Sequence, residues 1–354
     1  MSHYEERLEH DLGDLRERVL AVGAEVGEAL RSAERAVLLG DRALASRTIL
    51  GDNRINRQIR DVDARCHAFV ARHLPSAGHL RFVSSVLRID LELERIGDYA
   101  ATICREALQL RSPPPEPLHS DFEMMAAHGR TMLARALEAF RAGSADLARA
   151  TLALAQPQRA LVRRLFGDLL REGESAARPL HEIFALLIVL HRLERVADQA
   201  KNICEETIFA ATGETKAPKT FSILFIDERN DRASQLAEAW ARKYYSRSGR
   251  YASAGWRPAD RLADDLVAFV EQHGLDFAGT HPKALGELRE PLADFDVIVS
   301  LEGDARPHIG EIPFHTVLLE WDAGGRTAPV DEAARRVAAE LHALIELLRG
   351  DDAE

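Results

Sequence analysis

Two segments of this 354-residue chain, set one hundred positions apart, are written in nearly the same letters. Leu93-Glu94-Arg95-Ile96-Gly97-Asp98 is answered by Leu193-Glu194-Arg195-Val196-Ala197-Asp198. Ala100, Ile103, Cys104 and Glu106 are answered by Ala200, Ile203, Cys204 and Glu206. Self-similarity at a fixed offset marks one supersecondary unit used twice. The same local rules then have to account for both copies.

Those rules are helical. Leu12, Leu15, Val19, Val22, Val26, Leu30, Ala33 and Val37 recur at alternating three- and four-residue steps, which is one apolar stripe on a long helix. Gly40-Asp41 supplies a stop followed by an N-cap. Ile55, Ile59, Val62, Cys66 and Phe69 continue the rhythm on a second helix that ends at Pro75. A third helix is expected from about Leu80 to Leu110, where Pro113-Pro114-Pro115 and Pro117 must break it. The pattern then restarts, with helices expected at about 120–142, 144–173 and 178–211. The reading is two tandem three-helix bundles, 1–112 and 119–212.

Beyond a linker at 213–219, starting Gly213-Glu-Thr-Lys, the period changes. Phe221–Ile226, Tyr251–Ala254, Phe295–Ser300 and His315–Leu319 read as short buried strands. Helical stretches at 232–245, 259–272 and 330–349 alternate with them. Strands alternating with helices argue a doubly wound parallel α/β domain over 220–350. The fold class is therefore multidomain, all-α and then α/β.

Charge narrows the partners. Lys+Arg minus Asp+Glu is 46 − 57 = −11. An acidic chain lacks the basic footprint that nucleic acid requires. Three cysteines form no paired framework, which points to a reducing compartment. Met1-Ser-His-Tyr-Glu-Glu lacks the start of a signal peptide, and the longest apolar run, Ile183–Leu190, is too short to span a bilayer. A cytoplasmic protein without direct membrane insertion is expected.

The repeated segments hold the sharpest chemical signal. Leu80, Val83 and Leu87 set an inward register that, extended, lands on Asp90, Glu94 and Asp98. Leu180, Ile183, Leu187 and Leu190 do the same for Glu194 and Asp198. Each copy then carries a Glu-x-x-x-Asp pair on its apolar stripe, one turn apart. Buried carboxylates are costly unless they are paired or bind metal. Hard oxygen donors suit magnesium, manganese or iron, and zinc is a further candidate. Asn202 adds an oxygen one turn along the second copy; Asp90 has no acidic counterpart, since position 190 is Leu. The competing reading is a salt-bridge network built from Arg88, Arg95, Arg105 and Arg195. Cys104 and Cys204 have no second ligand at a useful spacing and read as small buried hydrophobes.

The helical half resembles the PhoU family, carried by the duplicated Leu-Glu-Arg-[Ile/Val]-[Gly/Ala]-Asp motif and by the stretch from Ile49 to Asp98. The resemblance implies a negative regulator of phosphate uptake and phosphate-starvation signalling. Its implied partners are a phosphate-specific ABC transporter and a phosphate sensor histidine kinase, which would place it at the inner membrane face, and a homodimer is expected. It also implies metal binding at Glu94, Asp98, Glu194 and Asp198, with Asp90 and Asn202 as extensions.

The C-terminal half resembles the low-molecular-weight tyrosine phosphatase and arsenate reductase family. The matching stretches are Ile223–Asn230, Ser234–Ala239, Ser253–Gly255, Gly274–Gly279 and Phe295–Val299. That resemblance implies a nucleophilic Cys after the first strand and, six positions on, an Arg that clamps the oxyanion. Here Asp227 and Ala233 stand in those places, while Asn230 and Ser234 match. After Trp321-Asp322 no carboxylate stands where the acid should. The expectation is a pseudo-phosphatase module with a degenerate anion loop. Arg229 and Arg232 are expected to neutralise Asp227. The alternative is an active phosphatase or arsenate reductase-type enzyme targeted by a helical domain.

Overall fold

The computed structural model describes residues 3–154, 158–175, 178–216, 218–275, 277, 280–310, 312–313, 316–325 and 327–350. The chain divides into two compact units, Met1–Lys216 and Ala217–Glu354.

In the first unit α1 (His3–Leu39), α2 (Arg42–His73) and α3 (Ala77–Ala107) form the first repeat. The second consists of α4 (Leu118–Ala142), α5 (Ala145–Ala153), α6 (Gln158–Glu174) and α7 (Leu180–Thr212). Local chemistry sets the ends. The Asp41 carboxylate accepts the Leu44 amide at the start of α2, and the Ser144 hydroxyl accepts the Leu147 amide at the start of α5. Gly143 and Gly213 close α4 and α7 in the left-handed conformation that an L side chain resists. The single helix expected over 144–173 is divided into α5 and α6. Pro157, which lies outside the described residues, falls between them in sequence, and a proline has no N–H to continue a helix.

Both repeats feed one continuous apolar core, from Leu15, Val19 and Val26 of α1 to Val189, Val196 and Ile203 of α7. At its centre α3 and α7 lie against each other. Arg88, early in α3, pairs at 3.1 Å with Glu206, late in α7, so the two helices run in opposite directions. The Gln199 amide lies 3.4 Å from the hydroxyl of Tyr99, the residue at the equivalent place in the other repeat. The duplication is thus expressed as an approximate two-fold relation through that contact.

The second unit is a parallel sheet with helices. Its elements are β1 (Phe221–Asp227), α8 (Ala233–Tyr244), β2 (Gly249–Gly255), α9 (Asp264–His273), β3 (Val297–Ser300), α10 (Arg306–Ile309), β4 (Val317–Glu320) and α11 (Val330–Arg349). The strand order is β2-β1-β3-β4, all parallel. Ile223 to Ile226 are fully buried, as a strand covered on both faces demands. The chain leaves β1 for β2 on one side and returns to β3 on the other. The carboxyl end of β1 is therefore the switch point at which such sheets open a crevice. The strand expected from His315 begins at Val317, and residue 315 lies outside the described residues.

Candidate functional site

The inward face of α3 is Val83, Val86, Ile89, Leu93, Ile96, Ala100 and Ile103, each at most 1% exposed. This corrects the expected register. Leu80 and Leu180, taken as its first inward positions, are 49% and 65% exposed. Glu94, Glu194 and Asp198 are half-buried and Asp98 is exposed, so the repeated carboxylates flank the stripe instead of lying on it. The physical reason is the width of the stripe: the three-and-four rhythm fits two adjacent rows on one helix, and only Ile96, Gly97 and Ala100 together show which row packs inward.

Asp90 alone meets the expectation of burial. It is 2% exposed, and neither carboxylate oxygen has a hydrogen-bond partner. Burial, then the charges of Asp63 and Glu94, push its pKa up to about 8. One turn beyond Glu94, Asp98 acts on Asp52 of α2. Burial and then the Asp98 charge raise the Asp52 pKa. Asp52 accepts the Asn56 amide at 3.1 Å, while its Oδ1 and the Asn56 Oδ1 are buried and unpartnered. Among the described residues no hydrogen bond or ion pair holds Glu94 or Asp98. The seam between α2 and α3 is therefore rich in hard oxygen donors, with the Arg105 charge offsetting part of the repulsion at Asp52. Sequence reasoning missed Asp52, Asn56 and Asp63. Their signal was the Asp52-x-x-x-Asn56 spacing around Ile55, which puts both polar residues beside a core position.

The second repeat differs. Asp198 is paired with Arg195 at 3.1 Å and with Lys201 at 2.5 Å. Glu194 lies 3.7 Å from His191 Nδ1. Asn202 donates its amide to Gln199 at 3.2 Å. The salt-bridge reading therefore describes the second repeat, whereas in the first Arg95 pairs with Glu92 at 3.1 Å and leaves Glu94 alone. Among the described residues no three His, Cys, Asp or Glu side chains stand together in a group that could hold a metal ion. The α2–α3 seam holds unpartnered oxygens on Asp52, Asn56 and Asp90, whereas Asp198 in the second motif already has Arg195 and Lys201 beside it. Cys66, Cys104 and Cys204 are fully buried, with thiols pushed up to about 12, 11 and 12 chiefly by burial, as inert core residues should be.

In the second unit Asp227 ends β1 and the loop 228–232 leads into α8. Asp227 is 2% exposed. Its Oδ1 accepts the Asn230 amide at 2.5 Å and its Oδ2 the Ser234 amide at 2.9 Å. Burial pushes its pKa up to about 6, opposed by the Ser234 and Asn230 hydrogen bonds and reinforced by the Glu302 charge. Asn230 takes φ 47°, where Asn is among the tolerated residues. It donates to the Ser234 hydroxyl at 2.9 Å, and its own Oδ1 accepts from Gln235 and from the Lys283 amide, both at 2.9 Å. The Glu302 carboxylate accepts the Glu228 amide at 2.9 Å. The expected neutralisation by arginine does not occur. Arg229 pairs with Asp231 at 3.3 Å, and Arg232 turns to Asp265 and the Ala328 carbonyl. Backbone amides satisfy Asp227 instead. Asp322 is engaged by Arg336 at 2.7 Å.

Comparison with known proteins places both units. The PhoU domain model matches residues 19–107 and 122–207, and the low molecular weight phosphotyrosine protein phosphatase model matches 222–348. The phosphate-specific transport system accessory protein PhoU of Serratia marcescens is 30% identical over 216 residues, 60% of this chain and 87% of that protein. The PhoU homolog of Pseudomonas aeruginosa is 31% identical over 219 residues, 60% of this chain and 88% of that protein. The crystal structure of PhoU from Pseudomonas aeruginosa superposes with a TM-score of 0.56 at 28% identity, covering 58% of this chain and 99% of that one. The two matched PhoU segments are the two repeats, and no helix among the described residues is long and apolar enough to cross a membrane. The chain belongs to the PhoU family and carries a low-molecular-weight phosphatase-like domain after its helical unit.

Proposed function

We propose that this protein is a negative regulator of phosphate uptake and phosphate-starvation signalling whose α2–α3 seam binds a metal ion, with a phosphatase-like module that has lost its catalysis. The observation that carries the reading is the duplicated acidic motif within a PhoU-family helical unit, whose first copy has no ion pair among the described residues. Asp52, Asn56, Glu94 and Asp98 would hold the cation, with Asp63 and Asp90 behind them. Iron, manganese, zinc and magnesium all accept such oxygen-rich sites. Bound there, the metal would supply positive charge to a seam that has an excess of carboxylates. Glu194, Asp198 and Asn202 would form a second, weaker site, because Lys201 and Arg195 must first be displaced from Asp198.

The partners that fit this reading are a phosphate-specific transporter and its sensor kinase, consistent with relatives named as accessory proteins of the phosphate-specific transport system. Catalytic silence is supported by Asp227 and Ala233 in the places of the nucleophile and the clamp.

The test is regulatory. In a host lacking its own PhoU, the full chain should restore repression of a phosphate-starvation reporter in high phosphate, and Glu94→Ala with Asp98→Ala should abolish that repression at unchanged protein level. Equal repression by the variant would refute the role of the seam.

A further inference from the structure

Three backbone amides around the loop after β1, those of Glu228, Asn230 and Ser234, are taken by the chain's own carboxylates. The Asp227 carboxylate takes the Asn230 and Ser234 amides at 2.5 and 2.9 Å, and the Ser234 hydroxyl accepts the Asn230 side-chain amide at 2.9 Å. The Glu302 carboxylate, just past β3, takes the Glu228 amide at 2.9 Å from the other side. Loop amides of this kind are what an oxyanion would use. The pocket that adjoins the loop, lined by Arg232, Ala233, Leu301, Glu302, Ala323 and Gly325, is about 10 Å³. That is room for roughly one water and no tetrahedral oxyanion. Arg232, which lines this pocket, donates to Asp265 and to the Ala328 carbonyl.

We propose that Asp227 and Glu302 are a built-in substitute for the oxyanion, so that this module is held permanently in its anion-bound form and cannot respond to phosphate or arsenate. The inference goes beyond loss of catalysis. A loop that had lost only its nucleophile and clamp would still offer its amides to a passing anion. Here the amides are taken by side chains at very high effective concentration, because the carboxylates are tethered to the same sheet. The negative charge of both groups adds a repulsive element against any anion entering from solvent. In a phosphate regulator, this assigns phosphate responsiveness away from the domain whose ancestry would suggest it. It also leaves the module a fixed surface. Ser234 and Asn230 retain a role under this reading, since they hold the loop around the internal carboxylate as they would around a bound anion.

The experiment is a titration of the full chain with inorganic phosphate, followed by the backbone amide resonances of Glu228, Asn230 and Ser234. These resonances report the loop itself and are blind to anion binding elsewhere. Wild type should show no saturable shift up to roughly 10 mM phosphate, a concentration at which even millimolar affinity would be visible. The Asp227→Ser, Glu302→Ala, Ala233→Arg variant, which empties the cradle and restores a clamp, should shift saturably with at least tenfold higher affinity. Two results would overturn the proposal. One is a wild-type titration matching that of the variant. The other is a variant that keeps the circular dichroism and melting profile of wild type yet does not bind, which would mean that the carboxylates are not what excludes the anion.

Discussion

The Lys201 ammonium stands 2.5 Å from the Asp198 carboxylate, one turn along the same helix, while Asp98, the residue at the equivalent place in the first repeat, has no ion pair among the described residues and presses its charge on Asp52. A duplication that keeps its letters has diverged in its electrostatics. In the second copy the pair is neutralised by the chain; in the first the excess negative charge remains. The ion pair is partly exposed, with side-chain exposures of 35% and 33%, so by itself it contributes little stability. Its consequence lies in competition with a metal. Lys201→Ala is expected to raise the metal affinity of the second repeat several-fold without changing that of the first, measured by competition against a chromogenic chelator.

Asp90 makes the folded state pH-dependent. Its folded pKa, raised to about 8, lies above the ordinary value of 3.8, so the folded chain binds the proton more tightly than the unfolded chain. Stability is then fully present below about pH 4 for this group and is lost as the pH rises toward 8. Asp90→Asn should remove that loss and stabilise the metal-free helical unit at pH 8 by on the order of 3 kcal/mol. Thermal melts at pH 6 and pH 8 with chelator present check it; an Asp90→Asn variant with the same pH dependence as wild type would contradict the assignment.

Much of this was legible in the letters. The duplication, the three-and-four rhythm and the prolines gave the helices, and short apolar runs gave the four strands of a parallel sheet. The register of the repeated carboxylates was not legible. On α3 Leu80 and Leu87 continue one apolar row from Val83, while Val86, Leu93 and Ile96 form another, and only tertiary packing decides that the second is buried with Val83. The partners Asp52 and Asn56 were missed because they come from a different helix, and one-dimensional spacing does not report which turns of α2 and α3 face each other. The loss of Cys and Arg from the anion loop was visible, but its replacement by Glu302 was not, because residues 228 and 302 meet only through the β1–β3 pairing.

Gly255 marks how closely the backbone approaches at the carboxyl end of the sheet. A Cβ there would lie 2.8 Å from the Glu228 carbonyl and 2.9 Å from the Asn230 nitrogen, both backbone atoms. Gly255→Ala is expected to cost about 2 kcal/mol, the usual range for overpacking against atoms that cannot rotate away. The loss should fall on the unfolding of the second unit and leave the helical transition in place, read by the two circular-dichroism phases of a denaturant titration.

Phosphatase chemistry needs both the thiolate and the clamp. Asp227→Cys supplies the first and leaves Ala233 in place of the second, so the variant should hydrolyse p-nitrophenyl phosphate no faster than wild type, and both should be at the buffer rate. Asp227→Cys with Ala233→Arg and Glu302→Ala, which also frees the Glu228 amide, should rise above it by at least ~100-fold, the scale of transition-state charge stabilisation by a positioned donor. Activity in wild type that disappears in Asp227→Ala would overturn catalytic silence.

The measurement that bears most directly on the proposed function is metal content of the full chain by inductively coupled plasma mass spectrometry, after purification without chelator in the presence of iron and manganese. The account predicts about one bound ion per chain in wild type, lost in Glu94→Ala/Asp98→Ala and retained in Glu194→Ala/Asp198→Ala, with an affinity strong enough to survive gel filtration. A chain that carries no metal under these conditions, or one whose metal is unaffected by the first pair of substitutions, would contradict it and leave the α2–α3 seam a purely structural cluster of carboxylates.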